Sequence, residues 1–107
     1  SNILLPIGEP FSARGLPELR RKIAKLPWLQ VLANPQIRFH VRVTTSKSRL
    51  QHSTAIQARV VAGIYESLGY EIPSDQFTLE YPPSITDKDP LVRLEVQIVR
   101  DQVNLWL

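Results

Sequence analysis

The stretch TTSKSRLQHST at residues 44–54 sets Lys47 and Arg49 among the hydroxyls of Thr44, Ser46, Ser48 and Ser53, with His52 close by and no acidic residue. It stands between a run that alternates like a β-strand and a run spaced like an α-helix. Two cations and several hydroxyl donors just ahead of a helix start suit a phosphate, because the exposed amides and the positive end of the helix dipole favour an anion there. Arg42 and His40, on the outer side of the preceding strand, extend the same patch. Arg20, Arg21 and Lys25, on the first helix, form a second group of cations. From the residues alone a second reading stays open: a solvated loop whose Thr54 caps the helix while its cations point to water.

Other chemistry finds little support. His40 and His52 are twelve residues apart without acids beside them, a poor basis for a metal site. Ser48 or Ser53 with His52 lacks a nearby acid to orient the imidazole as a general base. Gly8, Gly15, Gly63 and Gly69 are isolated, so there is neither a phosphate-cradling loop nor a dinucleotide fingerprint. The absence of cysteine excludes disulfides and thiolate metal sites. Asp87 and Asp89 flank Lys88 in a proline-rich connector, where charge is ordinarily solvated. The expectation is a binding module and not an enzyme, with no catalytic residue, cofactor or metal of its own. Trp28 and Trp106 could each stack a base, but core packing is expected for both, with Trp106 facing away from Val103, Leu105 and Leu107.

The elements that would carry these residues can be read from periodicity. ILLPI at 3–7 suggests a buried strand closed by Gly8 and Pro10. GLPELRRKIAKL places Pro17 and Glu18 in a first helical turn, and Leu16, Leu19, Ile23 and Leu26 form one apolar stripe. Pro27 should end that helix, and WLQVL can make one further turn. IRFHVRVTT alternates, with Ile37, Phe39, Val41 and Val43 on one side and Arg38, His40, Arg42 and Thr44 on the other. TAIQ reads as a capping box between Thr54 and Gln57, opening a helix along Ile56, Val60, Ile64 and Leu68 that Gly69 ends. FTLEY at 77–81 is a brief strand, and VRLEVQIV with VNLWL makes a hairpin around Arg100-Asp101-Gln102 without an Asn-Gly signal. The order β-α-β-α-β-β-β predicts a mixed α/β sheet with two helices packed on it.

Length and charge set the frame. One domain spans residues 1–107, and with 43% hydrophobic and 21% charged residues it has the makeup of a soluble globular chain. No apolar run reaches the ~20 residues that cross a bilayer, so no membrane partner is expected. The net charge of +3 conceals segregation. Residues 1–52 hold nine Lys/Arg against Glu9 and Glu18, whereas residues 53–107 hold four against eight acids. Such a split suggests one face suited to a polyanion.

The segment LPWLQVLANPQIRFHVRVTTSKSRLQHSTAIQARVVAGIYESLG resembles the core of a THUMP domain, most closely that of bacterial and cyanobacterial methyltransferases acting on guanine N2 in ribosomal RNA. LPW before the strand, the strand FHVRVTT, then SKSRLQHS and the helix AIQARVVAGI carry the likeness, and ILLPIGEPFSARGLPEL resembles the segment before them. The resemblance implies a THUMP-like fold and a domain that presents structured RNA, ribosomal rather than transfer, to a covalently linked methyltransferase domain using S-adenosylmethionine. It implies RNA contacts at Arg42, Thr44, Ser46, Lys47, Ser48, Arg49, His52 and Ser53, with Leu50 anchoring the loop. Arg20, Arg21 and Lys25 join them as candidates. On this reading the chain is a domain excised from a longer cytoplasmic protein. The rival is a protein–protein module whose basic first helix meets an acidic partner without touching RNA.

Overall fold

The computed structural model describes residues 5–32, 34–72 and 82–107. Its elements are β1 (Phe11–Ser12), α1 (Leu16–Ala24), α2 (Trp28–Val31), β2 (Arg38–Ser46), α3 (Ser53–Ser67), β3 (Leu91–Val99) and β4 (Gln102–Trp106). The sheet runs β1-β4-β3-β2, with β2 parallel to β3 and the other pairs antiparallel, so the expected mixed α/β sheet is present. Its smallest extent of 21 Å is that of one sheet with one helical layer.

α1 starts where the sequence places it. Pro17 occupies the first turn, and Glu18 accepts a hydrogen bond from the Arg14 amide at 2.9 Å. Leu19 and Ile23 are fully buried, while Leu16 and Leu26 pack at the edge of the same core. WLQVL does form a further short helix, α2, and Trp28 at its start is buried with its indole N–H on the Ile23 carbonyl. α1 crosses α3 at Gly63, where a Cβ would lie 2.8 Å from Ile23 Cγ2. At its far end α3 closes in a Schellman turn: Gly69 has φ +98°, its amide donates to Glu66 O, and the Tyr70 amide donates to Tyr65 O.

Tyr65 of α3 meets Phe39 of β2 edge-to-face with ring centroids 5.3 Å apart, which identifies the helix-covered side of the sheet. Phe39, Val41, Leu94, Val96, Ile98, Val103 and Leu105 point into it and are buried. The alternate residues, including His40, Arg42, Thr44, Arg93, Glu95, Gln97 and Trp106, occupy the opposite face, which no described helix covers.

Two expectations need correction. The capping box is not formed: α3 begins at Ser53 with His52 as N-cap and no side-chain cap, and Gln57 donates instead to the Val41 carbonyl of β2. That carbonyl belongs to the outermost strand among the described residues, and an unpaired edge group offers the amide a better partner than a helix end that already faces water. Of the strand expected at 3–7, residues 5–7 are described, and they make a single bridge, Pro6 to Trp106, in place of a regular strand. Leu5 and Ile7 bond to Leu107 and Leu105, and Pro6 sits between them at the position whose N–H faces away from β4, where proline is tolerated. The first strand among the described residues is Phe11–Ser12. The FTLEY strand lies outside the described residues.

Candidate nucleic-acid interface

β2 delivers the chain to the residue 46–53 loop, and the loop keeps a two-residue alternation after the strand ends. Lys47 and Arg49 are exposed, whereas Ser48 and Leu50 are buried at 6% and 7% exposure. Lys47 sits at φ +52°, a left-handed conformation that turns Ser48 inward. There the Ser48 hydroxyl donates to Ser46 O at 3.0 Å, with Ile98 O also within reach at 3.3 Å, and accepts from the Asp101 amide at 3.0 Å.

Asp101 is half of the β3–β4 turn. Arg100 and Asp101 have φ values of +51° and +65°, the pattern of a two-residue type I′ hairpin built without Asn-Gly. Four hydrogen bonds compensate for that unfavourable backbone. Arg100 N donates to Ser46 O, Ala13 N to Asp101 O, Arg49 N to the Asp101 carboxylate, and Asp101 N to Ser48 Oγ. The loop, the hairpin turn and the approach to α1 are thus tied into one rigid platform.

The tie gathers cations. Lys47, Arg49, Arg100 and Arg14 are all exposed, and each belongs to or directly follows a backbone segment bonded at this turn. Asp101 is the acid at their centre, and its carboxylate is already engaged with the Arg49 amide. His52 and Ser53, both exposed, lie at the start of α3, the next element along the chain.

The expected site residues fall into three places. Lys47, Arg49, His52 and Ser53 share this end of the sheet, with Ser46 at its border. Ser48 is there too, but its hydroxyl serves the internal brace and faces away from solvent. Arg42 and Thr44 lie on the open sheet face, leading up to the loop. Arg20, Arg21 and Lys25 lie in the helical layer on the other side of the sheet, so the structure does not join them to Arg42 and Thr44. Arg20 is largely committed within the chain: its guanidinium bonds Glu66 at 2.6 Å and the Ile72 carbonyl at 3.1 Å. Arg21 and Lys25 are exposed and border a shallow groove of about 670 Å³ that Arg59 of α3 also lines.

Arg14 and Arg100 were missing from the sequence-based set. Their place beside the loop depends on strand order, which brings residues distant along the chain to one turn; the one local signal was the Arg100-Asp101 turn itself. Among the described residues no group of His, Cys, Asp or Glu could hold a metal ion, and no helix is long and apolar enough to cross a membrane.

The THUMP domain family matches residues 13–107. The chain belongs to the THUMP domain family. This THUMP domain is also similar in structure to several solved proteins. One is described as a predicted N6-adenine-specific DNA methylase from Listeria monocytogenes str. 4b F2365, at 27% identity and TM-score 0.73 over 96% of this chain. Another is described as a possible methylase from Clostridium difficile 630, at 25% identity and TM-score 0.72 over 96%. SMU.472, provisionally assigned as a methyltransferase and solved with SAH, shares the fold at 22% identity and TM-score 0.71 over 94%. The THUMP domain spans 25% of the length of each of these three chains. No curated protein matches it.

Proposed function

We propose that this THUMP domain binds structured RNA, ribosomal rather than transfer RNA, and presents it to a covalently linked methyltransferase domain that uses S-adenosylmethionine. The supporting observation is the braced platform at the end of β2, where Lys47 and Arg49 project outward because Ser48 and Leu50 are fixed inward. A loop backbone held this way loses little conformational freedom when its cations meet a phosphate backbone, and backbone contacts position RNA without reading its sequence. The chemistry falls to the linked domain. The methylase and methyltransferase descriptions of the solved neighbours support this division of labour. The domain and its parent act in the cytoplasm on this reading.

The test is a comparison of binding to a structured ribosomal RNA fragment, a transfer RNA and a DNA duplex of equal length at low and near-physiological salt. The RNA fragments should bind more tightly than the DNA, with affinity falling steeply as salt rises. Equal binding to DNA would contradict RNA selectivity, and binding confined to a protein partner of α1 would overturn the reading.

A further inference from the structure

The sheet face that no described helix covers has its own chemistry. Across the strands its residues fall into rows: Arg42 of β2 lies beside Glu95 of β3, which lies beside Trp106 of β4; the neighbouring rows are His40–Arg93 and Thr44–Gln97–Asn104. Trp106 is only half-buried and lines a hollow of about 240 Å³ together with Arg42, Thr44 and Gln97. A second hollow, about 420 Å³, adjoins it through Arg42 and Glu95 and is bounded by His40, Arg93 and Leu91.

We propose that this face seats an unpaired segment of RNA, with one base stacked on Trp106 and the adjoining phosphates on Arg42 and Arg93. The inference rests on the RNA-binding reading and adds a second subsite to it. Charge selects the occupant. Among the outward-facing residues of β2, β3 and β4 the only acid is Glu95, against the cations Arg38, Arg42 and Arg93. Glu95 reaches Arg42 only at 3.8 Å with both side chains well exposed, a contact too weak to compete with a phosphate. An aromatic ring beside guanidinium groups on an open sheet is a platform for bases, and stacking requires a base freed from its pair. The face is continuous with the loop platform, since the outward residues of β2 run from Arg42 through Thr44 to Ser46, next to Lys47. A strand leaving a helix docked on the loop would therefore pass along β2.

The experiment titrates the 107-residue chain with an RNA hairpin carrying a short single-stranded tail, and with the same hairpin lacking it, following tryptophan fluorescence and affinity. Trp28 is buried, so quenching reports on Trp106. The tail should quench the emission and tighten binding. Trp106→Leu should abolish the quench and weaken tailed RNA by roughly 5- to 150-fold, leaving tail-less RNA unchanged. Glu95→Gln, which removes the one acid without touching the core, should tighten tailed RNA and steepen its salt dependence, an outcome that a merely structural role for this row would not produce. Circular dichroism checks that Trp106→Leu folds, and Trp106→Phe, which keeps a ring, should restore most of the affinity. If tailed and tail-less RNA bind alike and the variants change neither, the sheet-face proposal falls while the loop platform stands. If neither RNA binds, both readings fall together.

Discussion

Ser48 and Lys47 divide the loop between an internal brace and an exposed cation. The hydroxyl at 48 was expected to face a phosphate, yet it is the buried bolt between loop and hairpin. Ser48→Ala should cost ~1–3 kcal/mol of stability, because the Asp101 amide loses its acceptor, and should weaken RNA binding indirectly; chemical denaturation checks the first effect. Lys47 contributes the opposite balance. Its left-handed backbone would suit glycine, so Lys47→Gly removes the charge with stability changed by no more than about 1 kcal/mol. Combined with Arg49→Ala it should lower the salt slope of RNA binding by ~0.7 per lost contact on single strands or ~0.9 on duplex. The sequence revealed which cations the loop carries but not which hydroxyl turns inward, because that depends on a partner fifty-three residues away.

At the scale of elements, periodicity served well where one face meets a core and poorly where a single polar contact decides. The stripe of α1, the alternation of β2 and the Gly69 stop of α3 were all legible. The capping box was not, since Gln57 is drawn to the exposed carbonyl of a strand whose position no local pattern encodes. The hairpin turn was placed correctly despite the wrong turn residues, and its type I′ geometry is maintained by bonds to the loop and to Ala13. The close α1–α3 crossing yields a direct prediction. Gly63→Ala would push a methyl group into Ile23 and the Arg20 carbonyl, and should destabilise the fold by ~1–3 kcal/mol, measurable as a lowered denaturation midpoint with RNA affinity unchanged once folded.

Over the whole molecule, part of the positive charge seen along the chain gathers at one end of the sheet. β2 and β3 run parallel, so both finish at the cation-rich platform of Lys47, Arg49 and Arg100, while Asp87 and Asp89 lie in the connector that leads into the start of β3. Such an arrangement would steer a polyanion to the loop end before any contact forms. The helical cations Arg21 and Lys25 stand apart on the other side of the sheet, a separation invisible in a count by halves. The most direct measurement is a backbone amide NMR titration with a structured ribosomal RNA fragment, repeated on the Lys47→Gly/Arg49→Ala variant. The account predicts shifts concentrated at residues 42–53, 13–14 and 100–101, reduced by salt and by the variant. Shifts confined to α1 and its groove, or none at low salt, would contradict it.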